Sequence, residues 1–211
     1  GAYIAVELDS DDVEVARTEL SPAEMPVWVA EQERVDPPRW VIRSAREIAE
    51  SEGWPAVTVR RLAAAVGVSQ PILYRHFPGG REDIVGRVVV EGYAELAAAM
   101  DVPDDRGSTL PALVSAYLDF AREHPAVYEA MASARSSVVF AAEETPEELR
   151  RGFRMLELAV GGTDARDRAV RAELLWSTLH GLSQLDAHAR LDAALEDDRT
   201  AAIVALFDRR S

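Results

Sequence analysis

The chain has 211 residues, 48% of them hydrophobic, with a formal net charge of −14 and no Cys. That length allows one large domain or two small ones around a packed core, and the lack of Cys excludes a disulfide framework and thiol chemistry. No apolar run approaches the ~18 residues of a membrane span, and no basic-then-apolar secretory leader opens the chain, so the expected location is cytoplasmic and no membrane partner is implied. A first residue of Gly rather than Met points to a processed or trimmed chain.

Charge is unevenly spread. Residues 1–37 hold 2 Arg against 10 acids, a net −8, and residues 91–211 hold 13 Arg against 22 acids, a net −9. Only residues 38–90 are basic, with 8 Arg against 5 acids, a net +3. An acidic protein with one basic segment would meet a polyanion through that segment alone, because the remainder repels phosphate.

In chain order, residues 1–37 form an acidic extension. Ala2–Leu8 alternates weakly, like a short strand, and the stretch as a whole reads as a flexible arm. A sharper alternative has Trp28 and its apolar neighbours docking on the C-terminal part of the chain or on a partner. Asp36-Pro37-Pro38 is a helix start, with a capping acid ahead of prolines. Trp40, Val41, Ile42, Ala45, Ile48 and Ala49 then keep helical spacing until Gly53. Arg39, Arg43 and Arg46 fall on the other side.

Residues 58–77 predict two short helices around one tight turn. Thr58 is an N-cap type. Leu62 and Val66, four apart, mark a buried face, and Ala63 is small enough to let a second helix cross closely. Gly67 can take the left-handed conformation that ends a helix. Ser69 is placed to cap the next helix, with Pro71 tolerated in its first turn. Leu73 and Phe77 anchor that helix, leaving Gln70, Ile72, Tyr74, Arg75 and His76 to face outward or partly so. A helical hairpin of no special purpose would satisfy the spacing alone. A helix-turn-helix whose second helix enters a DNA major groove satisfies the residue types as well.

The stretch Val66-Gly67-Val68-Ser69 followed by Leu73-Tyr74-Arg75-His76-Phe77 resembles the signature of the tetracycline-repressor (TetR) family of transcriptional regulators, and the likeness extends from about Arg39 to about Met100. The resemblance implies an all-α fold: a three-helix DNA-binding domain at residues 38–82, then a C-terminal helical domain at residues 83–211 for ligand binding and dimerisation. Relatives carry a Lys soon after the Phe, where it meets a DNA phosphate. Here Arg81 takes that place after a loop one residue longer, and the phosphate contact passes to it. Arg60, Arg61, Tyr74 and Arg75 are the other expected phosphate contacts. Ser69, Gln70, Ile72 and His76 are expected nearer the base edges, Gln suiting adenine and Ile a thymine methyl.

Helix four is predicted over Glu82–Met100, with Ile84, Val85, Val88, Val89, Tyr93, Leu96 and Met100 on one stripe, weakened by Gly86 and Gly92 at up to ~1 kcal/mol each. Val102–Gly107 is turn-rich. Helices follow over Thr109–Glu123, Ala126–Ser133, from Pro146 through Val160, from Asp164 to about Leu191, and from Asp192 to Phe207. Residues 134–144 suit either loop or loose helix. Trp176-Ser177-Thr178-Leu179-His180-Gly181-Leu182 resembles the Trp…His-Gly segment of one TetR C-terminal subgroup. In the family the last two long helices pair with their copies as a four-helix bundle. Gly181 in mid-helix fits the close approach of such a copy, although a kink or close packing within the chain would also use it.

No enzyme motif is present: there is no nucleophile elbow, no Gly-rich phosphate loop and no zinc-protease pair. Glu143-Glu144 and Glu147-Glu148 read as an acidic helix start rather than paired catalytic carboxylates. His180 and His188, eight apart on one predicted helix, would stand about 12 Å apart, too far to share a metal ion, and no cofactor is expected. Tyr93, Tyr117, Phe120, Tyr128, Met131, Phe153 and Trp176 are the larger apolar groups of the C-terminal part. They suit a core. The resemblance adds that a subset lines a cavity for an apolar or amphipathic inducer, with His180 as its polar anchor.

The expected protein is therefore a homodimeric regulator, a repressor released from a near-palindromic double-stranded operator by an unidentified small molecule. Two rivals stand beside it: a small-molecule binding protein of the same fold without a DNA role, and a protein-interaction module acting through the acidic arm.

Overall fold

The computed structural model describes residues 3–8, 14–20, 39–101, 109–133 and 147–208. Ahead of the helices, β1 (Tyr3–Leu8) and β2 (Glu14–Leu20) pair antiparallel, Tyr3 opposite Leu20 and Glu7 opposite Ala16, with a register irregularity after Glu7. The short strand expected at residues 2–8 is thus, over Tyr3–Leu8, one half of a hairpin, where a flexible arm was anticipated; the alternation in β2 is broken by Arg17 and Glu19, which hid it. Trp28 and the Asp36-Pro37-Pro38 helix start lie outside the described residues.

From Arg39 on, every described α or strand element is an α-helix. The chain divides into units of residues 1–85 and 86–211. In the first, α1 (Arg39–Glu52) buries Val41, Ile42, Ala45 and Ala49, and Gly53 at φ 82 releases the chain into a 3-10 turn, Trp54–Ala56. α2 (Val59–Val66) starts at Thr58, whose hydroxyl accepts the Arg61 N–H at 3.2 Å. That bond satisfies one of the first-turn donors that no intrahelical carbonyl can reach. Gly67, at φ 74 and ψ 24, ends α2 in the left-handed region. α3 (Gln70–His76) follows directly. Ser69 holds its N-cap position, but its hydroxyl makes no capping bond, contrary to expectation; Pro71 in the first turn already removes one of the orphan donors. Leu62, Val66, Leu73 and Phe77 are all buried, Leu62 and Phe77 almost completely. Each such burial contributes about 1.5–3 kcal/mol.

α4 (Arg81–Met100) runs unbroken across residues 81–100. In the second unit, α5 (Leu110–Glu123) is the central helix, packed against α6 (Pro125–Ser133), α7 (Glu147–Val160), α8 (Ala165–Ala187) and α9 (Glu196–Phe207). Its Leu110, Leu113, Val114, Tyr117, Phe120 and Ala121 are buried and, at three- and four-residue spacing, form one continuous apolar face. Gly92 on α4 is required by packing rather than merely tolerated: a Cβ there would lie 2.6 Å from Val127 Cγ1 and 2.9 Å from Met131 Sδ of α6. α8 is fixed at its start by Asp164, which accepts from Asp167 N–H at 2.9 Å, while Asp167 accepts in return from the Thr163 N–H at 2.8 Å. This is a reciprocal cap of the capping-box kind.

α8 stops at Ala187, not at about Leu191. His188 caps it, and Ala189 turns the chain at φ 50. Amphipathic spacing persisted beyond the point where the backbone leaves the helix, so periodicity overran the end. A 3-10 turn, Ala193–Leu195, capped by Asp192, then leads into α9, which takes the first residues of the predicted last helix away from α-geometry. Residues 102–108 and 134–146 lie outside the described residues, and with them the expected turn at Val102–Gly107 and the undecided stretch 134–144.

Gly67→Ala should destabilise the first unit by about 1–2 kcal/mol, the cost of forcing an L-side chain into the left-handed region. Urea unfolding of the full chain measures it.

Candidate functional site

The DNA-reading candidate is built by alternation on a seven-residue helix. Leu73 points into the core, and Gln70, Pro71, Tyr74 and Arg75 are exposed; Ile72 is half-buried. His76, the last residue of α3, is half-buried too, and its Nε2 is out of reach of solvent. Tyr74 is 49% exposed, with its ring against Gly80: Cε1 lies 3.0 Å from where a Gly80 Cβ would stand. Gly80, at φ 61, therefore serves both the turn and the seating of that tyrosine. Ser69, Gln70, Tyr74 and Arg75 thus share one accessible region at the start and middle of α3, where a recognition helix meets base edges and flanking phosphates.

The cations around it divide into two groups. Arg60 and Arg75 are exposed and make no ion pair or side-chain hydrogen bond with other described residues. Arg61 is held by Glu52 in a two-pronged pair, with Nη1 donating to one carboxylate oxygen at 2.7 Å and Nη2 to the other. Arg81 donates from Nε to the Val57 carbonyl at 2.9 Å and from Nη2 to the Trp54 carbonyl at 3.0 Å. Sequence reasoning grouped all four Arg as cations for phosphate. It missed Glu52, and it could not see that two turn carbonyls compete for Arg81.

The ligand candidates meet in the second unit as a string of polar contacts inside an apolar core. The Tyr117 and Tyr128 hydroxyls are 2.9 Å apart, and the Tyr128 hydroxyl is 2.9 Å from His180 Nδ1. The Trp176 indole bonds the Tyr117 hydroxyl, and the Trp176 and His180 rings lie tilted by 40° with centroids 6.3 Å apart. An indole N–H can only donate. Tyr117 therefore accepts from Trp176, while the direction from Tyr117 through Tyr128 to His180 follows the imidazole tautomer: a neutral ring with its proton on Nε2 takes the Tyr128 proton at Nδ1, and Tyr117 is then free to donate to Tyr128. Burial also lowers the His180 pKa below the ordinary histidine value and raises those of Tyr117 and Tyr128 above the ordinary phenol value. Tyr93, pushed up to about 12 by burial and then by Tyr128, donates to the Met131 carbonyl at 3.3 Å. Buried Ser183, which the sequence did not single out, touches Tyr128 and donates to the Leu179 carbonyl at 3.0 Å. An (i, i+3) step from His180 was the available signal.

Phe120 stands apart from this string, edge-on to His124 with ring centroids 5.0 Å apart, and Phe153 is half-buried on α7. Tyr117, Tyr128 and Met131 are close-packed, at 2%, 6% and 5% exposure. A cleft of about 150 Å³ opens elsewhere, lined by Leu118, Ala121, Leu182 and Ser183, with Arg122 and Glu196 among its polar groups. Ser183 is the link, lining the cleft on one side and meeting Tyr128 on the other. Arg122 is paired there with Glu196 at 2.6 Å, Asp119 at 3.1 Å and Asp186 at 3.7 Å, which ties α5, α8 and α9 together. His188 bonds the Gln184 carbonyl at 2.7 Å. Among the described residues, no three His, Asp or Glu are placed to hold a metal ion, and no helix is long and apolar enough to cross a membrane.

α8 carries apolar residues on two sides. Ala172, Leu175 and Leu179 are buried, while Val170, Leu174 and Leu185 are 48%, 56% and 40% exposed. Gly181 lies between Leu174 and Leu185, and a Cβ there would meet nothing within 4 Å. On α9, Leu206 is 74% exposed.

Comparison with known proteins agrees with this architecture. Residues 41–88 match the model of bacterial regulatory proteins of the tetR family, and residues 110–209 match that of the tetracyclin repressor-like C-terminal domain. The uncharacterized HTH-type transcriptional regulator YobS of Bacillus subtilis (strain 168) is 35% identical over 95 residues, which is 44% of this chain and 49% of YobS. The chain thus spans about half the length of that curated relative. A protein of unknown function from Rhodococcus sp. RHA1 has a similar fold, with a TM-score of 0.64 at 24% identity over 81% of this chain and 92% of the other. So does a TetR protein of Acinetobacter baumannii AYE, solved in complex with minocycline, with a TM-score of 0.57 at 17% identity over 80% of this chain and 90% of the other. Two family models side by side, one on the helix-turn-helix and one on the helical remainder, are those of non-enzymatic DNA-binding regulators. The chain belongs to the TetR family of bacterial transcriptional regulators.

Proposed function

We propose that this regulator is a dimeric repressor that leaves a near-palindromic operator when a small apolar ligand binds its C-terminal domain. The observation that carries the DNA half is the exposed side of α3: Gln70, Tyr74 and Arg75 are offered to solvent by a helix whose Leu73 is buried, in the one basic segment of an acidic chain. Gln70 and Ile72 read base edges, with Ser69 and His76 at the margins of that surface. Arg60, Tyr74 and Arg75 hold phosphates. Arg61 reaches a phosphate only by sharing or giving up Glu52.

The dimer half rests on the outward side of α8. Val170, Leu174 and Leu185 are apolar, exposed and spaced along one helix, and Gly181 leaves room there for a helix to approach. A two-fold contact through α8 and α9 covers these residues and presents two copies of α3 to half-sites one or more helical turns apart. The ligand half is supported by the Trp176–Tyr117–Tyr128–His180 string, since a neutral His at the end of a buried hydrogen-bonded chain is a directional polar anchor among aromatic walls. The minocycline complex of a structural relative gives that reading a precedent for the fold. Ligand binding shifts α4 and spoils the spacing of the two α3 helices, which needs a coupling of about 1–3 kcal/mol.

Three outcomes test these parts. Arg75→Ala should weaken binding to a selected operator roughly tenfold and lower the slope of log affinity against log salt by about 0.9. Unchanged affinity with the helical content intact removes the assigned role. Leu174→Glu should shift the chain from dimer to monomer in sedimentation velocity, because the charge would be buried without a partner; a dimer that survives places the interface elsewhere. The third is a pH dependence. The folded-state pKa of His180 is lowered, so the unfolded chain binds more protons between that value and about 6.5, and stability falls as pH drops through that window. Thermal unfolding of wild type should therefore lose more between pH 7 and pH 5 than unfolding of His180→Asn, whose amide cannot be protonated there. Parallel curves would contradict the neutral-imidazole assignment.

A further inference from the structure

We propose that Arg81 is a positioning residue for the DNA-reading motif. Its guanidinium clasps the first turn of α4 to the turn that precedes α2, in place of the phosphate contact expected at this position; the inference rests on the DNA-binding reading above. The geometry is specific. Nε donates to the Val57 carbonyl at 2.9 Å and Nη2 to the Trp54 carbonyl at 3.0 Å, so one whole edge of the planar group is spent on backbone acceptors. Both acceptors belong to a well-anchored turn: Val57 is fully buried, Trp54 is 8% exposed, and the Trp54 carbonyl also accepts the Val57 N–H at 3.1 Å.

The place of this clasp matters more than its strength. Val57 is the residue before Thr58, whose hydroxyl caps α2. Arg81 follows Gly80, against which the Tyr74 ring of α3 is seated. The clasp therefore closes a ring: 3-10 turn, α2, α3, the Pro78–Gly80 turn, and back to the 3-10 turn through Arg81. α3 is held at its start by the Gly67 turn and at its end by a loop that Arg81 pins. Because α4 is one continuous helix from Arg81 to Met100, the residue that pins the loop is also the first residue of that helix. A Lys at this site keeps the charge, but its single ammonium on a flexible stem cannot reproduce two coplanar bonds at fixed separation.

The test compares wild type, Arg81→Lys and Arg81→Ala as full-length chains, on a duplex recovered by selection from random sequence with the wild type. Affinity is measured across a salt series, and backbone amide exchange is followed over residues 54–58. The clasp predicts that both variants lose affinity roughly tenfold with the salt slope unchanged, and that both exchange faster at residues 54–58. A phosphate contact predicts otherwise: near wild-type binding by Arg81→Lys, a slope lower by about 0.9 in Arg81→Ala, and unaltered exchange. That result overturns the proposal, as does wild-type binding by both variants. Should Arg81→Ala fail to fold, Arg81→Lys alone separates the two, because only the clasp makes it behave as a loss. A wild-type chain that selects no duplex overturns the DNA reading instead, and faster exchange at 54–58 in Arg81→Lys would then still report the clasp.

Discussion

Everything the first unit does depends on four apolar side chains meeting across one left-handed glycine. α2 has eight residues and α3 seven. Helices that short do not hold themselves together in water, because the cost of nucleation is spread over too few bonds. What keeps them helical is the burial of Leu62 and Val66 on one and of Leu73 and Phe77 beyond the turn. Spacing of four residues puts both members of each pair on one side of its helix, and Gly67 lets the chain turn sharply enough for the pairs to meet. The exposed side of α3 is a by-product of that burial: once Leu73 and Phe77 are fixed, Gln70, Tyr74 and Arg75 have nowhere else to go.

The same constraint shapes the electrostatics. In a chain of net charge −14, cations near a DNA face have many internal suitors. Glu52, at the end of α1, takes Arg61, and two turn carbonyls take Arg81. These partners stiffen the motif while reducing its reach for phosphate. Among the described residues of the motif, Arg60 and Arg75 are left as exposed cations without a side-chain partner. A short list of cations on a stiff support favours a specific geometry over general adhesion to any polyanion, since non-specific affinity grows with the number of phosphates neutralised.

How much of this was legible in the sequence follows from range. Caps, glycine turns and four-residue spacing are local, and Thr58, Gly67, Leu62, Leu73 and Phe77 could be placed from neighbours a few positions away. Arg81 could not, because its acceptors lie 24 and 27 positions upstream and are backbone atoms, which leave no mark on residue type. The need for Gly92 was hidden for the same reason, since Val127 and Met131 come from a helix more than thirty residues on. β2 was missed because charged Arg17 and Glu19 interrupt its alternation. The end of α8 was overrun because the apolar spacing continues past Ala187 while the backbone does not. Tyr117, Tyr128, Trp176 and His180 were readable as a set of large groups in one region. Their order along a proton-donating string was not, since it depends on contacts across three helices.

That string also limits how a ligand can act. Tyr117, Tyr128 and Met131 are packed nearly out of solvent contact, and the described cleft lies beyond them, joined through Ser183. A ligand using His180 as its anchor must therefore either enter from the half-exposed side of Trp176 and His180 or separate groups that are already satisfied. Separation is costly, because each buried hydroxyl left without a partner costs about 1–3 kcal/mol. Entry beside His180 avoids that cost and keeps the string intact, with the polar partner on the ligand meeting the imidazole edge that Tyr128 does not use. In the proposed dimer the outward side of α8 makes a different contact, so one helix would serve both surfaces: Leu175 and Leu179 are buried, Leu174 and Leu185 are exposed, and His180 stands between them. A displacement of His180 by even a fraction of a helical turn would move both faces of α8 together, because close-packed side chains shift as a body rather than deform one by one.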